Sequence, residues 1–284
     1  MNALSLFDGM SCGQIALNRA GIKYDKYFAS EIDKPAIKVT MANYPNTIQL
    51  GSVLDVKATD LPKIDLLIGG SPCQGFSFAG KQFNFNDPRS SLFFEYVRLL
   101  RECTPKYFLL ENVKMKKEYE DVITDFLGVS PVKINSSLVS AQNRERLYWT
   151  NIPIKTMPED KGLTLKDVVS NANHHKITIR YPDTVRRTKN YAQYDQTLKG
   201  HRSQDQRFFY LAGKSGCITK SRSSIPKVEY GDEIILLLPE EVENLQTVPT
   251  GYTNIVKTQD RYAMLGNGWT VDVIAHIFKG IKEA

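Results

Sequence analysis

Cysteine, histidine and tryptophan are scarce: 284 residues hold four, four and two of them. Cys12, Cys73, Cys103 and Cys217 stand 61, 30 and 114 residues apart, so no CxxC pair exists and neither a zinc framework nor a disulfide scaffold finds usable spacing. No metal site is expected, and any cysteine that matters should act as a free thiol. No stretch approaches the roughly 18 uncharged apolar residues of a membrane span. The start MNALSLFDGM has neither the basic beginning nor the apolar centre of a signal peptide, which makes a cytoplasmic location the expectation. Hydrophobic residues at 42% and charged residues at 24% exclude disordered and fibrous compositions. The length suits one large domain, or a large one with a small appendage.

The net charge of +6 is unevenly placed. Residues 154–232 carry 15 Lys/Arg against 8 Asp/Glu, whereas the rest of the chain is close to neutral. Tyr181, Tyr191, Tyr194, Phe208, Phe209 and Tyr210 lie within this basic stretch. A localised excess with interleaved aromatics suits a nucleic-acid-binding face, although a solvated charged surface would have the same arithmetic.

Along the chain, apolar strands alternate with amphipathic helices. ALSLF, DKYFASEID, IDLLIGG and KYFLLENV read as strands. QIALNRAG, the stretch from Pro35 to about Tyr44, RSSLFFEYVRLLREC and EYEDVITDFLG read as helices. This alternation predicts a mostly parallel sheet covered on both faces. After Asn151 the periodicity gives way to short alternating runs such as KITIRY and RFFYLAG, read as a small, irregular second domain. Helical text returns in EEVENLQTV and, after the turn LGNG, in TVDVIAHIFKGI.

Three strand ends carry chemistry. The turn Phe7-Asp8-Gly9-Met10-Ser11-Cys12-Gly13 lets a ligand approach the backbone closely, but lacks the GxGxxG spacing that cradles a pyrophosphate. Glu31, at the end of the second strand, can accept from both hydroxyls of a ribose. A nucleoside without phosphates fits this pair; an ordinary turn and a surface acid would read the same in isolation. In GGSPCQGFS, Cys73 follows the end of a central strand, where open α/β sheets place their chemistry, and Glu111 ends the next strand. A thiol in a Ser-Pro-Cys-Gln-Gly turn beside a carboxylate reads as a nucleophile rather than a buried structural cysteine.

Taken in order, FDGMSCG, GGSPCQGFS, ENV, QNRER, PEEVENLQTVPTGYT and RYAMLGNGWTVDVI resemble the motifs of the DNA cytosine-5 methyltransferases over nearly the whole chain. Within that family LGNGWTVDVIAHIF and the sparse second domain look closest to Dnmt3-type enzymes and small phage or bacterial members. The resemblance implies a doubly wound, Rossmann-like α/β domain that binds S-adenosylmethionine, formed by residues 1–153 and 236–284, with a small, irregular, basic target-recognition domain at 154–235. It implies methyl transfer to C5 of a flipped-out cytosine in duplex DNA, leaving S-adenosylhomocysteine. Cys73 would be the nucleophile, Glu111 the acid, and Arg144 and Arg146, read as neighbours on one strand, the cations near the base.

Cofactor contacts are implied for Phe7, Asp8, Gly9, Met10, Ser11, Cys12, Glu31, Ile32, Ser52, Val53, Gly70, Leu92, Asn267, Gly268 and Trp269. The last three are read at the start of the final helix. DNA contacts are implied for Gln74, Lys81, Arg89, Arg186, Arg187, Lys189, Lys220 and Arg222, and residues 74–91 read as a loop able to close over the base. One departure stands out. Where the family has Gly-Asp-Ile or Gly-Asp-Val, this chain has Gly51-Ser52-Val53, so the acceptor for the adenine amino group is neutral. The same chemistry on tRNA is the nearest alternative, but the Cys-Phe-Thr insert of that branch is missing; a non-catalytic DNA-binding accessory protein would have lost PCQ and ENV, and both are present. A bacterial or phage-infected cell, with activity at the nucleoid and with or without a cognate restriction endonuclease, completes the expectation.

Overall fold

The computed structural model describes residues 1–71, 88–170, 172–177, 185–194 and 207–282. Contacts divide the chain into two compact units, residues 1–134, 145–157 and 271–284, and residues 135–144 and 158–270. These units differ from the domains expected at 1–153 plus 236–284 and at 154–235. Segments 135–144 and 236–270 pack with the second unit, held there by buried side-chain bonds from Gln142 and Arg144 that sequence periodicity does not report.

The first unit runs β1 (Asn2–Leu6), α1 (Cys12–Arg19), β2 (Lys26–Ser30), α2 (Lys34–Asn43), β3 (Ile48–Gln49), β4 (Leu66–Gly69), α3 (Pro88–Cys103), β5 (Tyr107–Val113), α4 (Lys117–Leu127), β6 (Val132–Asn135) and β7 (Glu145–Thr150). The second holds β8 (His175–Ile177), β9 (Val185–Arg187), β10 (Tyr191–Tyr194), β11 (Arg207–Tyr210), β12 (Lys227–Tyr230), β13 (Glu233–Leu236), α5 (Pro239–Leu245) and α6 (Thr258–Asn267). The chain then returns to the first unit as α7 (Val271–Lys282).

The seven strands of the first unit are ordered β3-β2-β1-β4-β5-β7-β6. β1 is parallel to β2 and β4, β4 is parallel to β5, and β7 runs antiparallel to β5. Reversal of order at β1 and β4 opens a crevice beyond their carboxyl ends, the place where such sheets bind ligands. Leu4, Leu6, Leu67 and Leu110 from the strands meet Phe93, Tyr96 and Leu99 of α3 and Trp149 of β7 in one buried cluster. Gly69 is the last residue of β4, and a Cβ there would press at 3.1 Å on the Leu6 carbonyl and the Tyr96 ring.

Local signals set the helix limits. Asp33 caps α2 by accepting from the Ala36 amide, with Pro35 in the first turn, and Gly128 ends α4 in the left-handed conformation. α7 buries Val273, Ile274, Ile277 and Phe278, each stabilising the fold by roughly 1.5–3 kcal/mol. It packs against α1, with Arg19 bonded to Asp272 at 2.6 Å.

In the second unit, the segment expected to be irregular contains a six-stranded sheet ordered β8-β13-β12-β11-β10-β9. Its strands are three or four residues long, so the alternating runs KITIRY and RFFYLAG mark only β8 and β11 of the six. α6 is a further helix that the periodicity does not predict, and it moves the expected last-helix start. Asn267 ends α6, Gly268 caps it, and Trp269 lies in the link to α7.

Candidate active site

The β1–α1 turn takes three positive φ angles within five residues: Phe7 at 58°, Gly9 at 59° and Ser11 at 64°. Two are at non-glycine residues, where such a backbone carries a cost of order 1–3 kcal/mol each and needs support from its surroundings. The support is visible. Glu31 accepts from the Gly9 amide at 2.7 Å, Thr40 donates to the Gly9 carbonyl at 3.3 Å, and Gln14 donates to the Ser11 hydroxyl at 2.8 Å. Tyr27 donates to Asp8 at 2.8 Å. Burial pushes the Asp8 carboxyl up to about 6, opposed by the hydroxyls of Ser5, Ser11 and Tyr27 and reinforced by the nearby Glu31 charge.

Glu31 follows β2 directly. Its other oxygen accepts from the amides of Ile32 and Asp33 at 2.8 and 2.9 Å, which fixes the carboxylate while the oxygen facing Gly9 keeps a lone pair for a ligand hydroxyl. Beside it Ile32 is 73% exposed, an apolar surface with no cover among the described residues. Met10 and Cys12 are buried under the turn, whereas Gly9 has open space where a Cβ would stand. Gly51 takes φ 73°, and Ser52 caps the 3₁₀ turn Val53–Asp55 by accepting from the Leu54 amide at 3.3 Å. Val53 is buried, and Gly70 and Leu92 are half-buried. A bare backbone loop, a fixed carboxylate and an uncovered apolar side chain suit a nucleoside: hydroxyls for the acid, a flat base for the isoleucine.

The second cluster lies on β5 and β7. Val113 pairs with Arg146 in register, so Glu111, two residues back, is the diagonal neighbour of Arg146 on the same face. Arg146 Nε lies 3.0 Å from Glu111 Oε1, with both side chains about 11% exposed, and Arg146 Nη1 donates to the Glu145 carbonyl. Asn112, one residue on, donates to the carbonyl and hydroxyl of Ser71 at 3.4 and 3.3 Å. This ties β5 to the chain two residues before Cys73. Asn112 was present in ENV but received no role from the sequence; neither did Tyr27 or Gln14, whose partners lie 3 to 33 residues away. Cys73, Gln74 and Lys81 lie outside the described residues, as does the expected loop up to residue 87. Its last part, 88–91, is the first turn of α3, where Arg89 sits in a helix with its side chain outside the description.

Arg144 is not on the Arg146 strand, since β7 begins at Glu145. It belongs to the second unit, buried, where its guanidinium donates to the carbonyls of Ile218 at 2.7 Å, Gly268 at 2.8 Å and Gly266 at 3.3 Å and approaches Cys217 Sγ at 3.4 Å. Gln142 accepts from the Ile218 amide and donates to the Leu245 carbonyl. These two side chains fasten the 217–218 segment to α6 and α5.

Residues 219–224 then form a compact turn, with the Ser224 hydroxyl accepting from Thr219 and donating to the Ser221 carbonyl, and Lys220 and Arg222 exposed. Gly266 lies so close that a Cβ there would overlap the Thr219 carbonyl and the Lys220 amide. Of the other expected DNA contacts, Lys189 is exposed. Arg187 is held by both oxygens of Glu229 at 2.8 and 3.0 Å and lies near the Tyr210 ring. Arg186 is placed in β9, its side chain outside the description. Among the described residues no helix is long and apolar enough to cross a membrane, and no cluster of three metal-ligating side chains occurs.

The strand order with an antiparallel β7, together with chemistry at the carboxyl edge, defines a Rossmann-like S-adenosylmethionine-dependent methyltransferase fold. The chain belongs to the C-5 cytosine-specific DNA methylase family, whose model matches residues 1–283. It is 38% identical to the orphan methyltransferase M.SPRI of Bacillus phage SPR over 165 residues, 54% of this chain and 38% of that one. The chain thus spans well under half the length of the phage relatives it matches. It is 27% identical to the Type II methyltransferase M.NlaX of Neisseria lactamica over 99% of this chain and 96% of the relative. The solved structure of the Entamoeba histolytica methyltransferase EhMeth superposes with a TM-score of 0.76, covering all of this chain and 98% of that one at 16% identity, a likeness of fold.

Proposed function

We propose that this chain is a DNA methyltransferase that moves the methyl group of S-adenosylmethionine to C5 of a cytosine flipped out of duplex DNA. The observation that carries this reading is the Glu111–Arg146 pair across β5 and β7, with Asn112 of β5 bonded to Ser71, two residues before Cys73. A cytosine C5 is too weak a nucleophile to attack a methyl donor unaided. The Cys73 thiolate adds to C6, forming the S–C bond while the ring electrons move toward C5. Glu111 holds a proton on the N3 edge and stabilises the charge that addition creates, and Arg146 orients its carboxylate and offers a cation toward the base O2. The cofactor supplies the methyl group as an electrophile. Transfer to C5 would leave S-adenosylhomocysteine; loss of the C5 proton to water then re-forms the C5–C6 double bond and expels the Cys73 thiolate, while the N3 proton returns to Glu111.

Glu31 would hold the ribose hydroxyls, Ile32 and Val53 would flank the adenine, and Ser52 would accept from its amino group. Phe7 to Cys12, with Gly70 and Leu92, would line the rest of the nucleoside. The basic second unit would read DNA, with Lys220 and Arg222 on the 219–224 turn placed for base edges, where arginine can bind guanine bidentately. Arg144, committed to backbone carbonyls, is assigned to positioning that turn. Within the family we place the chain near the Dnmt3-type and small phage or bacterial enzymes, on the text LGNGWTVDVIAHIF. Its phage and bacterial relatives support work on the DNA of a bacterial or phage-infected cell. Bisulfite sequencing of DNA from cells expressing the chain tests the proposal: protected cytosines in one sequence context support it, and full conversion everywhere contradicts it.

A further inference from the structure

Arg98, in the second half of α3, has no part in the site described above, yet its guanidinium reaches that site's edge. Nη2 donates to the Val56 carbonyl at 2.9 Å and reaches the Val53 carbonyl at 3.5 Å. Two carboxylates on its own helix fix the group: Glu95 accepts from Nε and Nη2 at 2.9 and 2.7 Å, and Glu102 accepts from Nη1 at 2.8 Å. Val53 opens the 3₁₀ turn Val53–Asp55 and Val56 caps its far end, so the guanidinium brackets the turn through its two flanking carbonyls. Ser52 caps the front of the same turn. Because residue 52 is a serine, the turn cannot draw the adenine by charge, and its neutral oxygen is useful only if the turn stands in the right place.

We propose that Arg98 is a positioning residue for the adenine end of the cofactor, setting the place of the Ser52–Asp55 turn from α3. This rests on the reading that Glu31, Ile32, Ser52 and Val53 hold the nucleoside. Arg98 touches no ligand in this role. Its removal should weaken any ligand that carries adenosine, whatever is attached to the 5′ end. A lysine can reach one carbonyl but cannot bridge both glutamates, so it should retain part of the effect.

The test is calorimetric titration of the full chain with S-adenosylmethionine and with 5′-methylthioadenosine, for wild type, Arg98→Met, Arg98→Lys and Ile32→Ala. Arg98→Met should weaken both ligands by the same factor, about tenfold, the scale of a lost charged hydrogen bond. Arg98→Lys should fall between it and wild type. In steady state the Arg98→Met loss should appear in KM for the cofactor, with kcat at saturation within about twofold of wild type. Unchanged affinity in both arginine variants while Ile32→Ala weakens both ligands would overturn the positioning role and leave the nucleoside site standing. Unchanged affinity in all three variants would overturn the nucleoside site itself. Weakening of S-adenosylmethionine alone would place the effect of Arg98 elsewhere and also overturn the proposal. If Arg98→Met does not fold, Arg98→Lys decides: wild-type affinity for both ligands would contradict the role.

Discussion

Glu111 and Arg146 face each other diagonally across the β5–β7 ladder, 3.0 Å apart and nearly buried. β7 is the reversed strand of the sheet, and its antiparallel register puts the arginine over the acid. A partly buried pair of this kind loses more when one member is removed than its net contribution suggests, because the other is left uncompensated.

Glu111→Gln should therefore lower kcat by about 10² to 10⁴, the span of general acid–base assistance, while duplex binding changes little. Arg146→Met should lower kcat as well, through loss of both the cation and the orientation of Glu111. Single-turnover methyl transfer with a tritiated methyl donor, alongside a gel-shift titration, separates the two effects. Wild-type turnover in Glu111→Gln would remove the acid from the mechanism.

Asp8 gives a pH signature. Its carboxyl is raised from 3.8 to about 6 by burial in the folded chain, so the native state holds a proton between those values that the unfolded chain has lost. Stability contributed by the protonated form is fully present below about pH 4 and declines as pH rises through about 6, by about 3 kcal/mol in total. Asp8→Asn, which keeps an acceptor for Tyr27, should raise Tm at pH 8 and match wild type near pH 4. A Tm difference that is constant across this range would contradict the buried-carboxylate account.

Gly266 gives a test of the 219–224 turn. Adding a methyl group drives it into the Thr219 carbonyl and the Lys220 amide, so the turn must shift. Gly266→Ala should reduce discrimination between cognate and scrambled duplexes more than it reduces binding to the scrambled one. Filter-binding titrations of both duplexes measure this, and an unchanged ratio would remove the turn from base reading.

Salt dependence separates free from committed cations in the basic unit. Each phosphate neutralised contributes about 0.9 to the slope of log affinity against log salt on duplex DNA. Lys189→Ala should lower the slope by about that amount. Arg187→Ala should leave it nearly unchanged, since both oxygens of Glu229 already hold that guanidinium. Titration at several salt concentrations distinguishes the two, and equal losses would show that Arg187 leaves Glu229 to bind phosphate.

The parts of this molecule that sequence periodicity reveals are those whose contacts are local or follow a regular face. β1, β2, β4 and β5 are short buried runs ending in turn or acidic residues, and α7 carries a continuous apolar stripe. The positions of the β1–α1 turn, Glu31 and Glu111 are legible because they close such runs. What stayed hidden depends on distant partners. α6 has a mostly polar sequence, and its buried residues Tyr262 and Leu265 are covered by a unit assembled from other segments. The staple made by Arg144 bonds to residues 74 and 124 positions away, so the motif QNRER could suggest two arginines at one site but could not show that one of them fastens a different unit. Arg98 carries no signal in the sequence, because its carbonyl partners lie 42 and 45 residues earlier.

The central claim, a covalent step through Cys73, is most directly tested with a duplex in which the target cytosine within the bisulfite-mapped site is replaced by 5-fluorocytosine. The fluorine at C5 cannot leave as the proton does, so the thiolate cannot be expelled after methyl transfer. Incubation of the wild-type chain with this duplex and S-adenosylmethionine should give a denaturation-resistant protein–DNA adduct, mapped by mass spectrometry to the peptide containing Cys73. Cys73→Ser should bind the duplex and form none. An adduct at another residue, methyl transfer by the serine variant, or an active wild-type enzyme that forms no adduct would contradict the account.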